Sequence, residues 1–257
     1  MSACPATDPV REDGILYLLD YLTSPDDPPQ DVQPDGKSSP ASTRRVGPHA
    51  VLATDPLYST EDIRRIREFF LTRPRRIPYL RYRDYAFFVC GMHFMLREGD
   101  LLSLRVGDVA ARQSDGSFAV RPSFGILTEK RRNDLEIPIV PNARAALELL
   151  LPTIPTLTEN QALFYNCRTG EALSRQEGRK IIARALHAIG RTEKTGTHTL
   201  RKTGAWHLYQ ALLREGPPDQ ALRIVQQCLA QRDPGSLRHY LRITQRETDA
   251  AFSLLNL

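Results

Sequence analysis

This chain of 257 residues has few of the residues that build metal centres or covalent scaffolds. Its 4 cysteines, Cys4, Cys90, Cys167 and Cys228, lie far apart, and no two form a C-x-x-C pair. That spacing argues against a zinc ribbon and a disulfide framework, and it makes Cys90, set in an apolar run, a reduced and buried thiol. No second histidine stands at ligand spacing from His198, which argues against zinc there too. No apolar stretch approaches the ~20 residues that a bilayer span needs. The opening residues, MSACPATDPVRED, lack the basic start and apolar block of a secretory signal. No nucleotide-binding motif is present. The expectation is therefore no metal, no cofactor, no membrane, and a reducing, cytoplasmic compartment.

What the chain does have is apolar residue enough for a core, 41% of its composition, which excludes wholesale disorder. The length allows one large domain, or a medium one with an appendage. A net charge of +5 suits a polyanionic partner, although many proteins without one share it.

Residues 1–56 read differently from the rest. One short apolar segment, Ile15 to Leu22, is followed by SPDDPPQDVQPDGKSSPASTRR, rich in Pro, Asp and Ser. Such a composition cannot offset its ordering entropy, so a flexible arm with one short helix is expected. Ordered structure is expected over 57–257. Ser59 with Asp62 reads as a capping box ahead of Ile63, Ile66 and Phe70. The segment YRDYAFFVCGMHFML is apolar on nearly every face up to Leu96, the pattern of a central buried helix.

After Asp108 the pieces FAVRP, FGILTEK and LEIPIV read as short strands, with KRRND as a turn between two of them. Asn142 is expected to cap a helix through AALELLL, and LFYN reads as a short strand. Ser174 and Glu177 form a second capping box, ahead of Ile181, Ile182, Ala185 and Ile189. Three more helices are expected, over Thr199–Leu213, Asp219–Leu229 and from Thr244 to the end. The fold class is α+β, a mostly helical domain with a small antiparallel sheet.

Five separated residues (Arg97, Lys130, His198, Arg201 and Tyr240) together make a toolkit for breaking a phosphodiester without a metal. Each alone has an ordinary account. Arg97 could pair with Glu98 or Asp100; placed directly after a buried helix, it could instead grip a phosphate in bidentate fashion. Lys130 could face water at a hairpin tip, or reach a strand of DNA and protonate a departing oxygen, with Arg131 and Arg132 adding backbone contacts. His198 and Arg201 lie three apart in THTLRKT, on one helical face. Tyr240 stands among Arg238, His239 and Arg242, whereas its rival Tyr209, in LYQALL, reads as the buried face of a helix.

In this order the segments resemble the catalytic domain of the tyrosine recombinases, the phage-type integrases, from about Ser59 to Leu241. Arg97, Asp100, Leu102, Leu104 and Asp108 match the first box of that family. Lys130 precedes Ile137-Pro138 as the family's hairpin lysine does. His198-Thr-Leu-Arg201 matches the H-x-L-R box closely, and LAQRDPGSLRHYL has the length of the last box, which ends on the nucleophilic tyrosine. Gln231 departs from the pattern, standing where the family usually has His or Trp. The resemblance also implies a helical core-binding domain ahead of the catalytic one. Residues 1–56 offer no full counterpart, so the chain is expected to grip DNA with one domain or to rely on an accessory protein.

The resemblance implies that Tyr240 attacks the scissile phosphorus and forms a 3′-phosphotyrosyl link. Arg97 and Arg201 would cradle the non-bridging oxygens, His198 would act as base, and Lys130 would protonate the leaving 5′-oxygen. Gln231 would support the phosphate, and Asp100 would orient Arg97 or His198. Lys202 and Arg238 join Arg131 and Arg132 as expected DNA contacts. The implied partners are double-stranded DNA, on the nucleoid, and further copies of the chain, as a dimer to tetramer on DNA. Two other readings stay open, a DNA-binding protein that kept the fold but not the activity, and a type IB topoisomerase.

Overall fold

The computed structural model describes residues 54–127, 134–191, 196–230 and 237. Contacts divide the chain into two units parted between Ala53 and Thr54, and the described residues belong to the second. The expected arm and its Ile15–Leu22 helix, residues 130–133 of the KRRND turn, and the helix from Thr244 lie outside the described residues, which take in 54–56 of the arm and, as the first residue of a strand, Asp134 of the turn.

The described chain opens on an extended segment and enters helix α1 (Thr60–Thr72). Ser59 caps it, its Oγ accepting from the Asp62 N–H at 3.2 Å. Ile66 and Phe70 are the buried positions of this helix. Helix α2 (Pro78–His93) starts on a proline at its first position, where the missing N–H costs nothing. Its burial runs through Tyr79, Leu80 and every residue from Arg83 to Met92, as a helix apolar on all faces requires. The expectation that it continues to Leu96 is corrected: it ends at His93 because Met95, at φ 49°, turns into the left-handed region.

Two short helices follow, α3 (Glu98–Leu102) and α4 (Val106–Val109). Then come two antiparallel hairpins. Strand β1 (Ala110–Arg112) pairs with β2 (Phe118–Val120), Ala111 standing opposite Ala119. Strand β3 (Ser123–Leu127) pairs with β4 (Asp134–Pro138), Gly125 opposite Glu136. Among the described residues these are separate two-stranded sheets rather than one.

Helix α5 (Pro141–Leu150) corrects a second expectation, since Asn142 lies inside it and Val140 is the capping residue. Pro141 fixes φ for the first helical position and so moves the boundary two residues earlier. The LFYN strand is also corrected. Leu163 and Phe164 are fully buried, but Tyr165 makes only an isolated bridge to Ala172, around a turn in which Gly170 has φ 75°. Helix α6 (Arg175–Ala188) opens on the expected capping box, Ser174 N–H donating to Glu177 Oε2 at 2.7 Å and Glu177 N–H to Ser174 Oγ at 3.2 Å. Helices α7 (Thr197–Leu212) and α8 (Pro218–Cys228) complete the described fold.

Helix α2 is the axis on which α1, α5 and α7 pack. Two glycines permit its close approach to α7. A Cβ on Gly204 would stand 1.9 Å from the Met92 carbonyl oxygen, and one on Gly91 would stand 2.5 Å from Leu200 Cδ1. Leu57 is pinned to the same helix: its N–H donates to Thr203 Oγ1 at 2.9 Å and its carbonyl lies 2.9 Å from His207 Nε2. Cys90 is fully buried and free, as expected, and burial pushes its thiol pKa well up. Tyr209 is buried with Ala205, Leu222, Val225 and Leu229 where α7 meets α8. No helix among the described residues is long and apolar enough to cross a membrane.

Candidate active site

The close crossing of α2 and α7 brings the first and third sequence boxes together. Arg201 projects from α7 and is 6% exposed. One of its terminal nitrogens donates to the Met95 carbonyl, and the other donates to the Leu229 carbonyl at 2.8 Å. Met95 lies two residues before Arg97, and Leu229 two residues before Gln231. A single guanidinium thus ties the segment leading into Arg97 to the segment leading into Gln231. Charged donors onto carbonyls are among the stronger hydrogen bonds available to a protein.

The backbone at both attachment points is unusual. Among the described residues, Met95 at φ 49° and Ala230 at φ 45° are the non-glycine residues with positive φ. Each stands directly after the capping residue of a helix, α2 or α8, a position where glycine is the usual occupant. A left-handed alanine or methionine costs of order 1–3 kcal/mol and persists where its surroundings over-determine it. Here the Arg201 bonds fall on Met95 itself and on the residue before Ala230.

Arg97 is the capping residue of α3 and is half-buried. Its ordinary account, an ion pair with Glu98 or Asp100, is not found among the described residues. Glu98 pairs instead with Arg179 of α6, Oε2 to guanidinium 3.6 Å. Glu98 is 7% exposed, and its Oε1 is buried without a hydrogen-bond partner. Asp100 is also buried, at 5% exposure, and no contact among the described residues links its carboxylate to Arg97 or His198. The carboxylate whose field reaches His198 is that of Glu98.

His198 is an exposed residue of the first turn of α7. Desolvation of its ring lowers its pKa from the usual value; Glu98 opposes that shift, and Arg201, Lys202 and Arg179 reinforce it. The imidazole is therefore neutral at physiological pH, the form that can accept a proton. Lys202, expected on a DNA-facing surface, is 5% exposed and enclosed by protein. Lys130, Arg131, Arg132, Gln231, Arg238 and Tyr240 lie outside the described residues.

No group of three or more His, Cys, Asp or Glu among the described residues could hold a metal ion. A cavity of about 710 Å³ is lined by Met92, His93, Phe94, Met95, Thr203 and His207 among others, and by none of Arg97, His198 and Arg201. Sequence reading missed the Glu98–Arg179 pair. Glu98 sits in the charged run Arg97-Glu98-Gly99-Asp100, where its neighbours in sequence offer nearer partners, and Arg179 lies on another element that no local pattern announces.

Residues 60–247 match the phage integrase family. The probable integrase/recombinase YoeC of Bacillus subtilis (strain 168) is 28% identical over 199 residues, covering 77% of this chain and 95% of that relative. Among solved structures, the fold is similar to the XerH site-specific recombinase in a post-cleavage complex with a palindromic difH substrate, with TM-score 0.56, 21% identity and 79% of this chain covered. It is also similar to the XerA recombinase, with TM-score 0.57, 19% identity and 80% of this chain covered. The chain spans 54% of the XerH chain and 66% of the XerA chain. With its match running from the first residue of α1 through the H-x-L-R helix and beyond, the chain belongs to the phage integrase family, the tyrosine-type site-specific recombinases.

Proposed function

We propose that this protein cuts and rejoins double-stranded DNA at specific sites through a 3′-phosphotyrosyl intermediate on Tyr240. The observation that carries this reading is the Arg201 tie, because it fixes one guanidinium between the segments that carry Arg97 and Gln231. In the proposed reaction Tyr240 Oη attacks the scissile phosphorus, the phosphorus–5′-oxygen bond breaks, and the 5′-hydroxyl leaves. Conserving the bond energy in the phosphotyrosyl ester removes the need for ATP and lets the reverse step join a new strand. A free tyrosine has a pKa of about 10, so the attacking phenol needs a base and a positive field. His198, kept neutral, serves as the base. Arg97 and Arg201 bear on the non-bridging oxygens, where charge develops in the transition state.

Lys130 donates to the leaving oxygen, Gln231 donates an amide hydrogen bond to the phosphate, and Arg131, Arg132 and Arg238 hold the DNA backbone. Asp100 supports the Arg97 turn from its buried position. Lys202, as buried as its neighbour Arg201, adds a DNA contact in the proposed complex. Copies of the chain assemble as dimers to tetramers on the DNA, with the apolar segment 244–257 as the coupling element. The protein works on the nucleoid.

The test is a nicked suicide substrate that traps the covalent intermediate, read as an SDS-resistant protein–DNA adduct. The unaltered protein and Tyr209→Phe form the adduct, and Tyr240→Phe does not. DNA binding without any adduct would favour the reading in which Gln231 has cost the protein its chemistry. Relaxation of supercoiled plasmid lacking a target site would favour the topoisomerase reading.

A further inference from the structure

None of the roles above uses the cavity at the α2–α7 crossing. Its volume of about 710 Å³ falls in the range of small-molecule sites. The walls are mostly apolar, with Ile63 from α1, Val89 and Met92 from α2, Ile137 from β4 and Leu208 from α7. Arg67, His93 and His207 interrupt that surface. His207 is already engaged, its Nε2 lying 2.9 Å from the Leu57 carbonyl. Arg67 shares a face of α1 with Thr60 and Ile63, which also line the cavity. Its partner is neutral: it donates to Tyr85 Oη at 3.1 Å, with its guanidinium carbon 5.9 Å from the Tyr85 ring centre. Among the described residues no carboxylate pairs with Arg67. The acid of the described wall, Glu136, is occupied at Oε1, which accepts from Ser123 Oγ at 2.7 Å. A guanidinium facing an apolar cavity without a counter-charge is matched by an anion. His93 stands in the same field, for burial first and the Arg67 charge second hold its pKa below the usual value. As a neutral imidazole it keeps one N–H to donate.

The same walls carry both ends of the Arg201 tie. Met95, whose carbonyl takes one guanidinium nitrogen, lines the cavity. So does Cys228, directly before Leu229, whose carbonyl takes the other. We propose that this cavity is an effector site for a small apolar acid: the carboxylate sits on Arg67 and the His93 N–H, the hydrocarbon body fills the space between α1, α2, β4 and α7, and occupancy steadies both ends of the Arg201 tie. The binding claim stands on the cavity alone, whereas the effector claim rests on the reading of Arg201 as a phosphate donor. Met95 holds left-handed backbone at φ 49°, a conformation that its surroundings must maintain. A ligand packed against Met95 and Cys228 favours the state in which the tie is closed, since a ligand shifts an equilibrium toward the state it binds better.

The probe is decanoate, titrated calorimetrically into the full chain without DNA, and saturable binding is expected. Decanol, which lacks the charge, binds roughly tenfold or more weakly. Arg67→Gln weakens decanoate by a similar factor and leaves decanol where it was. Octanoate, shorter by a pair of methylenes, binds roughly fifteen-fold more weakly than decanoate. Ile63→Trp fills the cavity from α1 and abolishes binding of all three, with circular dichroism confirming that the variant is folded. Absence of binding, or an affinity indifferent to both Arg67 and Ile63, overturns the site. So does binding that appears only once residues 244–257 are removed, because the cavity then belongs to the chain's own segment. Saturating decanoate is further expected to raise the rate of adduct formation on the suicide substrate in the unaltered protein and not in Ile63→Trp. Binding with an unchanged or lowered rate overturns the effector role. Failure to form any adduct, with decanoate or without it, would sink the proposed function and leave the calorimetric result untouched.

Discussion

Arg201 donates to the carbonyl of Leu229 at 2.8 Å, and it does so from a helix whose other grip is on Met95, 106 positions earlier in the chain. In the proposed reaction Arg201 has both a structural and a chemical duty, which sets it apart from Arg97. On the proposed mechanism, substituting Arg201 by Ala removes a transition-state donor, worth about 3–4 kcal/mol or several hundred-fold in rate. It also leaves two carbonyls short of a donor, at about 1–3 kcal/mol for each that stays buried. Arg97→Ala removes a donor without breaking any ion pair among the described residues. Adduct formation is expected to fall by two orders of magnitude or more in both variants, with thermal melting lowered mainly in Arg201→Ala.

The α2–α7 crossing predicts an ordering between two glycine substitutions. Gly204→Ala sets a methyl 1.9 Å from the Met92 carbonyl oxygen and 2.9 Å from its carbon, both backbone atoms that cannot step aside. The helices must separate, at about 1–3 kcal/mol or more. Gly91→Ala meets the tip of Leu200 at 2.5 Å, and a side-chain end can rotate away. Chemical denaturation of both variants checks the order, Gly204→Ala being the more damaged and also the slower to cleave.

Helix α2 was legible in the sequence because being apolar on every face is a local property of consecutive residues, and the Ser174–Glu177 box because both of its bonds span three residues. The same holds for Tyr209, whose burial follows from its phase on α7. Failures of the reading came where geometry at one atom decides. Pro141 displaced Asn142 from the cap, and Met95 ended α2 before Leu96. The turn through Gly170 reduced LFYN to a single bridge. Within the candidate site, Arg97, His198 and Arg201 stand out in the sequence by their motifs, and the ion-pair partner of Glu98 does not. Its partner Arg179 lies on α6, brought near by packing that no spacing rule encodes.

Acid is expected to weaken both the fold and the reaction, through different histidines. His93 is half-buried, and desolvation, with Arg67 next, lowers its pKa below the usual value. A histidine depressed in the folded state contributes stability that is complete above its unfolded pKa, about 6.5. That contribution is lost as the pH falls from there through the folded value, because the unfolded chain binds the proton first. Melting temperature is predicted to decline below about pH 6.5, and His93→Gln should flatten part of that decline. His198 carries the same sign. The cleavage rate of the proposed reaction should rise with pH to a plateau whose half-point lies below the usual histidine value.

Thr203 offers a test of how the start of the described chain is held. Its Oγ1 accepts from Leu57 N–H at 2.9 Å and donates to the Thr199 carbonyl at 2.7 Å. Thr203→Val keeps the shape and leaves the Leu57 N–H unpaired in a buried place, at about 1–3 kcal/mol. Thr203→Ser keeps the hydroxyl and should recover most of that loss in a denaturant melt.

The left-handed alanine at the end of α8 also limits how this domain can be made hardier. Ala230→Gly would relieve a torsion of φ 45°, a gain of about 1 kcal/mol that any heat-based screen would select. The same freedom lets the Leu229 carbonyl drift from Arg201. Thermal selection is thus set against turnover at one residue, and a variant chosen for robustness alone would arrive with a slacker cradle for phosphate.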